Sequence, residues 1–125
     1  MGSEVLQELR NRQSAVERAL GSSQFAEAFH AALSKPPKAY DDDGCKEAAL
    51  QAAVTAVVGT KDQDLTALLK QLSDEEHDHL MTYLYAGLAK GDARTSGPLL
   101  AMHEKLTQVA GMGSIMRALT SPALG

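Results

Sequence analysis

The chain has 125 residues, 44% of them apolar, with 12 Lys/Arg against 16 Asp/Glu for a formal charge of −4. That length holds one domain, and the lack of a basic stripe excludes a phosphate-tracking nucleic-acid site. A lone cysteine, Cys45, rules out an internal disulfide, and with neither a signal peptide nor an apolar run of about 18 residues the composition fits a reducing cytosol.

The apolar residues are mostly Ala, Leu, Val and Met, with two Phe, three Tyr and no Trp. That bias favours helices over sheets. The pattern predicts an all-α single domain, an irregular stack of about seven short helices arranged as helical hairpins. Residues 1–13 read as an N-terminal extension or part of a first helix, 14–120 as the helical domain, and 121–125 as a C-terminal tail. Val5, Leu6 and Leu9 mark one short stripe and Val16, Ala19 and Leu20 another, with polar Arg10 to Gln13 between them. Ser14 with Glu17 forms a capping-box pattern able to restart the helix, and Gly21 stops it.

Phe25, Ala28, Phe29, Ala32 and Leu33 form the next apolar face, with Ser22 or Ser23 as its N-cap and Pro36-Pro37 ending it. Lys35 to Gly44 reads as a polar loop whose Asp41-Asp42-Asp43 run offers caps to a third helix over about 45–58. Those carboxylates lack the spacing and closing glutamate of a calcium loop. Leu50, Ala53, Val54, Val57 and Val58 are the predicted buried positions of the third helix, and Gly59 closes it. Thr60 with Gln63 suggests another box, ahead of Leu65, Leu68, Leu69 and Leu72. Ser73 with Glu76 makes a third, ahead of Leu80, Met81, Leu84, Tyr85 and Leu88. The acids from Asp74 to Asp78 suit a helix N-terminus. Residues 90–97 read as a flexible loop, with Pro98 at the first helical position and Leu99, Met102, Leu106 and Val109 on one face. A hinge at Gly111 and Gly113 separates this from a last stripe of Met112, Ile115, Met116 and Leu119.

A search for catalytic or metal-binding groups finds nothing organised. His77 and His79 lie about 200° apart around a helix and cannot share a metal. His103-Glu104 lacks the second histidine of a zinc-hydrolase helix, and Gly111-Met112-Gly113-Ser114 follows a helix, unlike a nucleotide-binding glycine loop. Cys45 has no evident base partner and reads as buried and inert. No catalytic residue, cofactor or metal is assigned.

Three segments carry a resemblance, the last of them more loosely. Leu99-Leu100-Ala101-Met102-His103-Glu104-Lys105, followed by Gly111-Met112-Gly113-Ser114-Ile115-Met116-Arg117-Ala118-Leu119-Thr120, is similar to a motif of Leu-Leu-x-Trp-His-Glu-Lys and Gly-x-Gly-Ser-Ile-x-Arg-x-Leu-Thr. Upstream, Leu80-Met81-Thr82-Tyr83-Leu84-Tyr85-Ala86-Gly87 looks like Leu-Met-Lys-Tyr-Ile-Tyr-Lys-Gly. Ala31-Ala32-Leu33-Ser34-Lys35-Pro36-Pro37 looks like Ala-Ala-Leu-Lys-Asn-Pro-Pro. All three patterns resemble those of subunit 5, the 16-kilodalton subunit, of the actin-related protein 2/3 complex. Met102 stands in place of the tryptophan, and the C-terminus lacks the family's basic tail.

The resemblance implies an all-helical, non-catalytic structural subunit of a seven-protein assembly that nucleates branched actin filaments in the cytoplasm. The implied partners are the 20-kilodalton subunit and the β-propeller subunit, with no nucleic acid, membrane or cofactor. The family's long acidic N-terminal arm has no counterpart in residues 1–13, which implies a weakened contact with actin-related protein 2. Tyr83 and Tyr85 point to different faces, one to the core and one open to a partner. Met112, Ile115 and Met116 are costly to leave in water, at about 25 cal/mol per Å², so they cover the domain's own core or a neighbour. Tyr83, His103, Met112, Ile115, Met116 and Arg117 make up the candidate partner interface. The competing reading is a free-standing helical adaptor that seats an amphipathic peptide between hairpins.

Overall fold

The computed structural model describes residues 2–35, 39–40, 42–60 and 65–120, with side chains over 4–35, 39–40, 42–60 and 65–110. Among them are six α-helices and no strand: α1 Gly2–Gly21, α2 Phe25–Ala32, α3 Asp43–Gly59, α4 Leu65–Lys70, α5 Asp74–Ala89 and α6 Ala93–Thr120. Pro36-Pro37, Asp41, Gln63 and the tail at 121–125 lie outside the described residues.

α3 is the centre of the stack, touching α1, α2, α5 and α6. Its buried residues, Cys45, Ala49, Leu50, Ala52, Ala53, Ala56 and Val57, lie around much of the helix rather than along one stripe. The alanines let neighbouring helices come close on several sides. Val54 is half-buried and Val58 exposed, so the predicted stripe reaches solvent at its end. Asp42 caps the helix by accepting from the Gly44 N–H at 3.3 Å.

α1 runs unbroken through the polar stretch where a restart was expected. Arg12 is the reason: it is only 6% exposed and continues the buried series Leu9, Arg12, Val16 and Ala19. Ser14 is exposed and opens no helix. Nor does Ser22 or Ser23 cap α2, whose N-cap is Gln24 with no side-chain bond. The Ser22 hydroxyl instead donates backwards to the carbonyls of Arg18 and Ala19, at 3.1 and 3.3 Å, closing α1.

α5 begins on the expected box. The Ser73 hydroxyl accepts from the Glu76 N–H at 3.1 Å, and the Glu76 carboxylate accepts from the Ser73 N–H at 2.9 Å. Its other oxygen lies 2.6 Å from His30 Nδ1 on α2. Partial burial opposes ionisation of Glu76, but the Ser73 N–H and His30 outweigh it and hold the carboxyl below the ordinary glutamate range.

α6 departs most from the sequence pattern. It starts at Ala93 rather than Pro98, because Asp92 caps it: the carboxylate accepts from the Arg94 N–H at 2.9 Å, and Ser96 Oγ donates to the Asp92 carbonyl at 2.8 Å. Gly91, at φ +69°, makes the turn from α5. Pro98 then sits inside the helix. A proline disfavours helical backbone at the preceding residue by clashing with its Cβ, and here that residue is Gly97, which has none. The helix also continues through Gly111 and Gly113. Each glycine costs about 1 kcal/mol against alanine, too little to interrupt a helix already formed. The two predicted C-terminal helices are one.

α5 packs most extensively on α6, and Gly87 sets their separation. A Cβ there would lie 2.9 Å from Leu99 Cδ1 and 3.6 Å from Val54 Cγ2. Leu99 is itself buried and cannot swing into solvent. Gly87→Ala should therefore destabilise the protein by about 1–2 kcal/mol in urea unfolding despite alanine's better helix propensity. Glu76 gives a pH-dependent test. Its carboxyl ionises more readily folded than unfolded, so its stabilisation is complete above the unfolded-state pKa and disappears as pH falls through the folded one. Glu76→Gln should be less stable than wild type at pH 7 and indistinguishable from it on this account near pH 2.

Candidate partner-binding surface

Most of the chemistry-bearing side chains are committed to the fold. Tyr83 is 1% exposed, and its hydroxyl donates to the Lys35 carbonyl at 2.8 Å. Burial raises its phenol well above the usual range, with Arg12 beside it opposing the shift. Tyr83 is therefore the inward member of its pair, reaching only the floor of the depression between α3 and α5. Tyr85 is half-buried and meets His103 edge to face, with ring centroids 5.4 Å apart at 67° and the hydroxyl 3.3 Å from Nε2. This places His103 on the α5/α6 seam, partly exposed and anchored within the domain.

The other histidines are each used separately. His77 donates through Nε2 to the Leu69 carbonyl at 2.6 Å, and His79 through Nδ1 to the Leu33 carbonyl at 2.8 Å. Both tautomers follow from the acceptor, since a carbonyl cannot donate. Among the described residues no three His, Cys, Asp or Glu side chains gather where they could hold a metal. Cys45 is buried, with its Sγ 3.5 Å from Asp42 Oδ2. Burial first, then the Asp42 carboxylate, pushes its thiol up, away from the reactive thiolate.

Arg12 is the residue that sequence reasoning missed. Its Nη2 donates to the Tyr40 hydroxyl at 2.6 Å and to Glu8 Oε1 at 3.0 Å, and its guanidinium lies 5.7 Å from the Tyr40 ring centre. Its spacing from Leu9 and Val16 was the available signal, masked by its charge.

Surface for a partner lies elsewhere. In the motif of α6, Leu99, Met102 and Leu106 face the core, and Met102 is buried in the tryptophan position. Leu100 faces out. The side chains of Met112, Ile115, Met116 and Arg117 lie outside the described residues. Two surface depressions, of about 280 and 320 Å³, lie between α1 and α2 and between α3 and α5. Both are at the small end for ligand sites and too small to seat an amphipathic helix. Among the described residues no helix is long and apolar enough to cross a membrane.

Comparison with known proteins adds the family. The model of the ARP2/3 complex 16 kDa subunit (p16-Arc) matches residues 2–123. Actin-related protein 2/3 complex subunit 5A of Arabidopsis thaliana is 36% identical over 116 residues, covering 93% of this chain and 86% of the relative. Subunit 5B of the same plant is 35% identical over 117 residues, covering 94% and 85%. The human subunit 5-like protein is 33% identical over 108 residues, covering 86% and 71%. With the match running through all six helices, this chain belongs to the p16-Arc family, the 16 kDa subunit of the ARP2/3 complex.

Proposed function

We propose that the chain is a non-catalytic structural subunit of the actin-related protein 2/3 complex. In this role it supports nucleation of branched actin filaments in the cytoplasm by docking on neighbouring subunits, the 20-kilodalton and β-propeller subunits first. The observation that carries the reading is the family match over residues 2–123, supported by relatives whose names place them in that complex. The fold is consistent with it, since His77 and His79 are spent on carbonyls at helix ends and Tyr83 on the Lys35 carbonyl. The adaptor reading is disfavoured by the same match.

The test is affinity purification of the tagged chain from its native cells, with the stoichiometry of what accompanies it. The expected result is the other six proteins of the assembly near one to one. A lone species near 13.3 kDa would overturn the reading. Within it, the sequence pattern puts Arg117 opposite the Met112, Ile115 and Met116 stripe, toward an acidic group on a partner. Arg117→Glu should then lower recovery of the complex without shifting the melting temperature of the isolated chain. Equal recovery by mutant and wild type would remove Arg117 from the interface.

A further inference from the structure

Ala49, Ala52, Ala53 and Ala56 supply four of the seven buried residues of α3. At spacings of three and four they repeat one small side chain on successive turns. Such a surface packs closely but separates one crossing angle from another poorly, since interlocking ridges and grooves are what orient a helix on its neighbour. Towards its C-terminal end α3 is pinned to α1. Leu20 lies over Gly59, where a Cβ would come 2.5 Å from Leu20 Cδ1, and Gln13 Nε2 donates to Thr55 Oγ1 at 3.1 Å. Pins at one end leave a helix able to pivot about them.

The start of α3 is tied to α1 through Tyr40, two residues before the capping Asp42. Arg12 Nη2 donates to the Tyr40 hydroxyl at 2.6 Å and to Glu8 Oε1 at 3.0 Å. The Arg12 side chain is only 4% exposed, and its Nη1 is buried with no hydrogen-bond partner among the described residues. A buried guanidinium with one nitrogen left over is a poor source of stability. Its planar fork nevertheless fixes a distance and a direction, which a run of alanines does not.

We propose that Arg12 is a positioning residue: by holding Tyr40 it sets the angle at which α3 crosses α1, with no net gain in stability. That angle reaches the rest of the stack, because α3 also packs on α5 and α6 and its Leu50 and Val54 lie against Gly87 of α5. A pivot of α3 therefore displaces the two helices that carry the family motif. Buried polar side chains act this way in coiled coils, where one of them selects a register at a cost in stability. The consequence for assembly rests on the reading of the chain as a complex subunit.

The experiment compares full-length wild type with the double variant Arg12→Met/Tyr40→Phe, which replaces both halves of the grip and leaves Glu8 its contact with Lys35. The readouts are urea unfolding and amide NMR spectra of the purified chain, and recovery of neighbouring subunits with the tagged chain from cells lacking the endogenous one. The variant should unfold at the wild-type urea concentration or above it, while amide signals of α3 and α5 broaden or double. It should recover about tenfold less of the neighbours, as expected when about one molecule in ten holds the competent angle. Tyr40→Phe alone, a smaller change, should broaden the same signals with its urea midpoint close to wild type. A wild-type spectrum or wild-type recovery from the double variant would overturn the proposal. So would a urea midpoint that falls in step with recovery, or failure of the variant to fold, since the grip would then be a contribution to stability only. Failure of wild type itself to assemble would overturn the subunit reading, and the spectra of the purified chain would still decide the role of Arg12.

Discussion

The stack depends on α5 side chains reaching carbonyls at the ends of other segments. α2 has eight residues and α4 has six, and a helix leaves its last four carbonyls without intrahelical partners whatever its length. In helices this short, that is half or more of the acceptors. α5 supplies donors to the segments they end in: His77 to Leu69, His79 to Leu33 and Tyr83 to Lys35. His30 and Glu76 add a link between α2 and the start of α5. An isolated helix of six or eight residues is marginal in water, so α2 and α4 hold their shape through α5 and the apolar core.

That arrangement commits His77, His79 and Tyr83 to holding helices together. An imidazole or phenol buried beside a helix end is a satisfied donor rather than an available acid or base. His77 and His79 diverge around α5 for the reason that prevents them from sharing a metal: each reaches a different helix. The histidine content of the chain therefore reports its connectivity.

Much of the fold was legible from residues alone. The Ser73–Glu76 box, the Asp42 cap and the apolar spacing of α2 and α5 are local signals, and the structure forms each as the sequence implies. The departures arise where a tertiary contact reverses a local preference. Arg12 reads as a break in an apolar stripe until Tyr40 and Glu8 are placed beside it. Pro98 reads as a helix start until the missing Cβ of Gly97 and the earlier cap at Asp92 are taken together. Spacing separates Tyr83 from Tyr85 without saying which one points inward; that choice is made by the Lys35 carbonyl, which is remote in sequence. Within the motif of α6, the outward turn of Leu100 and the inward turn of Met102 required the packing of α6 on α5.

Arg12 shows how such a contact organises the rest. Burying a guanidinium costs several kcal/mol, and a well-packed apolar residue of similar volume is often as stable or more so. Stability is therefore a weak account of its presence. What it supplies is direction. Glu8 and Arg12, one turn apart on α1, grip both ends of the connection between α2 and α3: Glu8 lies 3.5 Å from the Lys35 ammonium, and Arg12 holds the Tyr40 hydroxyl. Tyr40 sits two residues before Asp42, the cap that starts α3. Fixing that point on α1 fixes where the central helix begins, and α3 in turn packs on α1, α2, α5 and α6. A subunit whose work is to hold surfaces in register needs its own helices in register first. A directional polar grip on a connection with few apolar side chains does what additional hydrophobic area, which has no preferred orientation, would not.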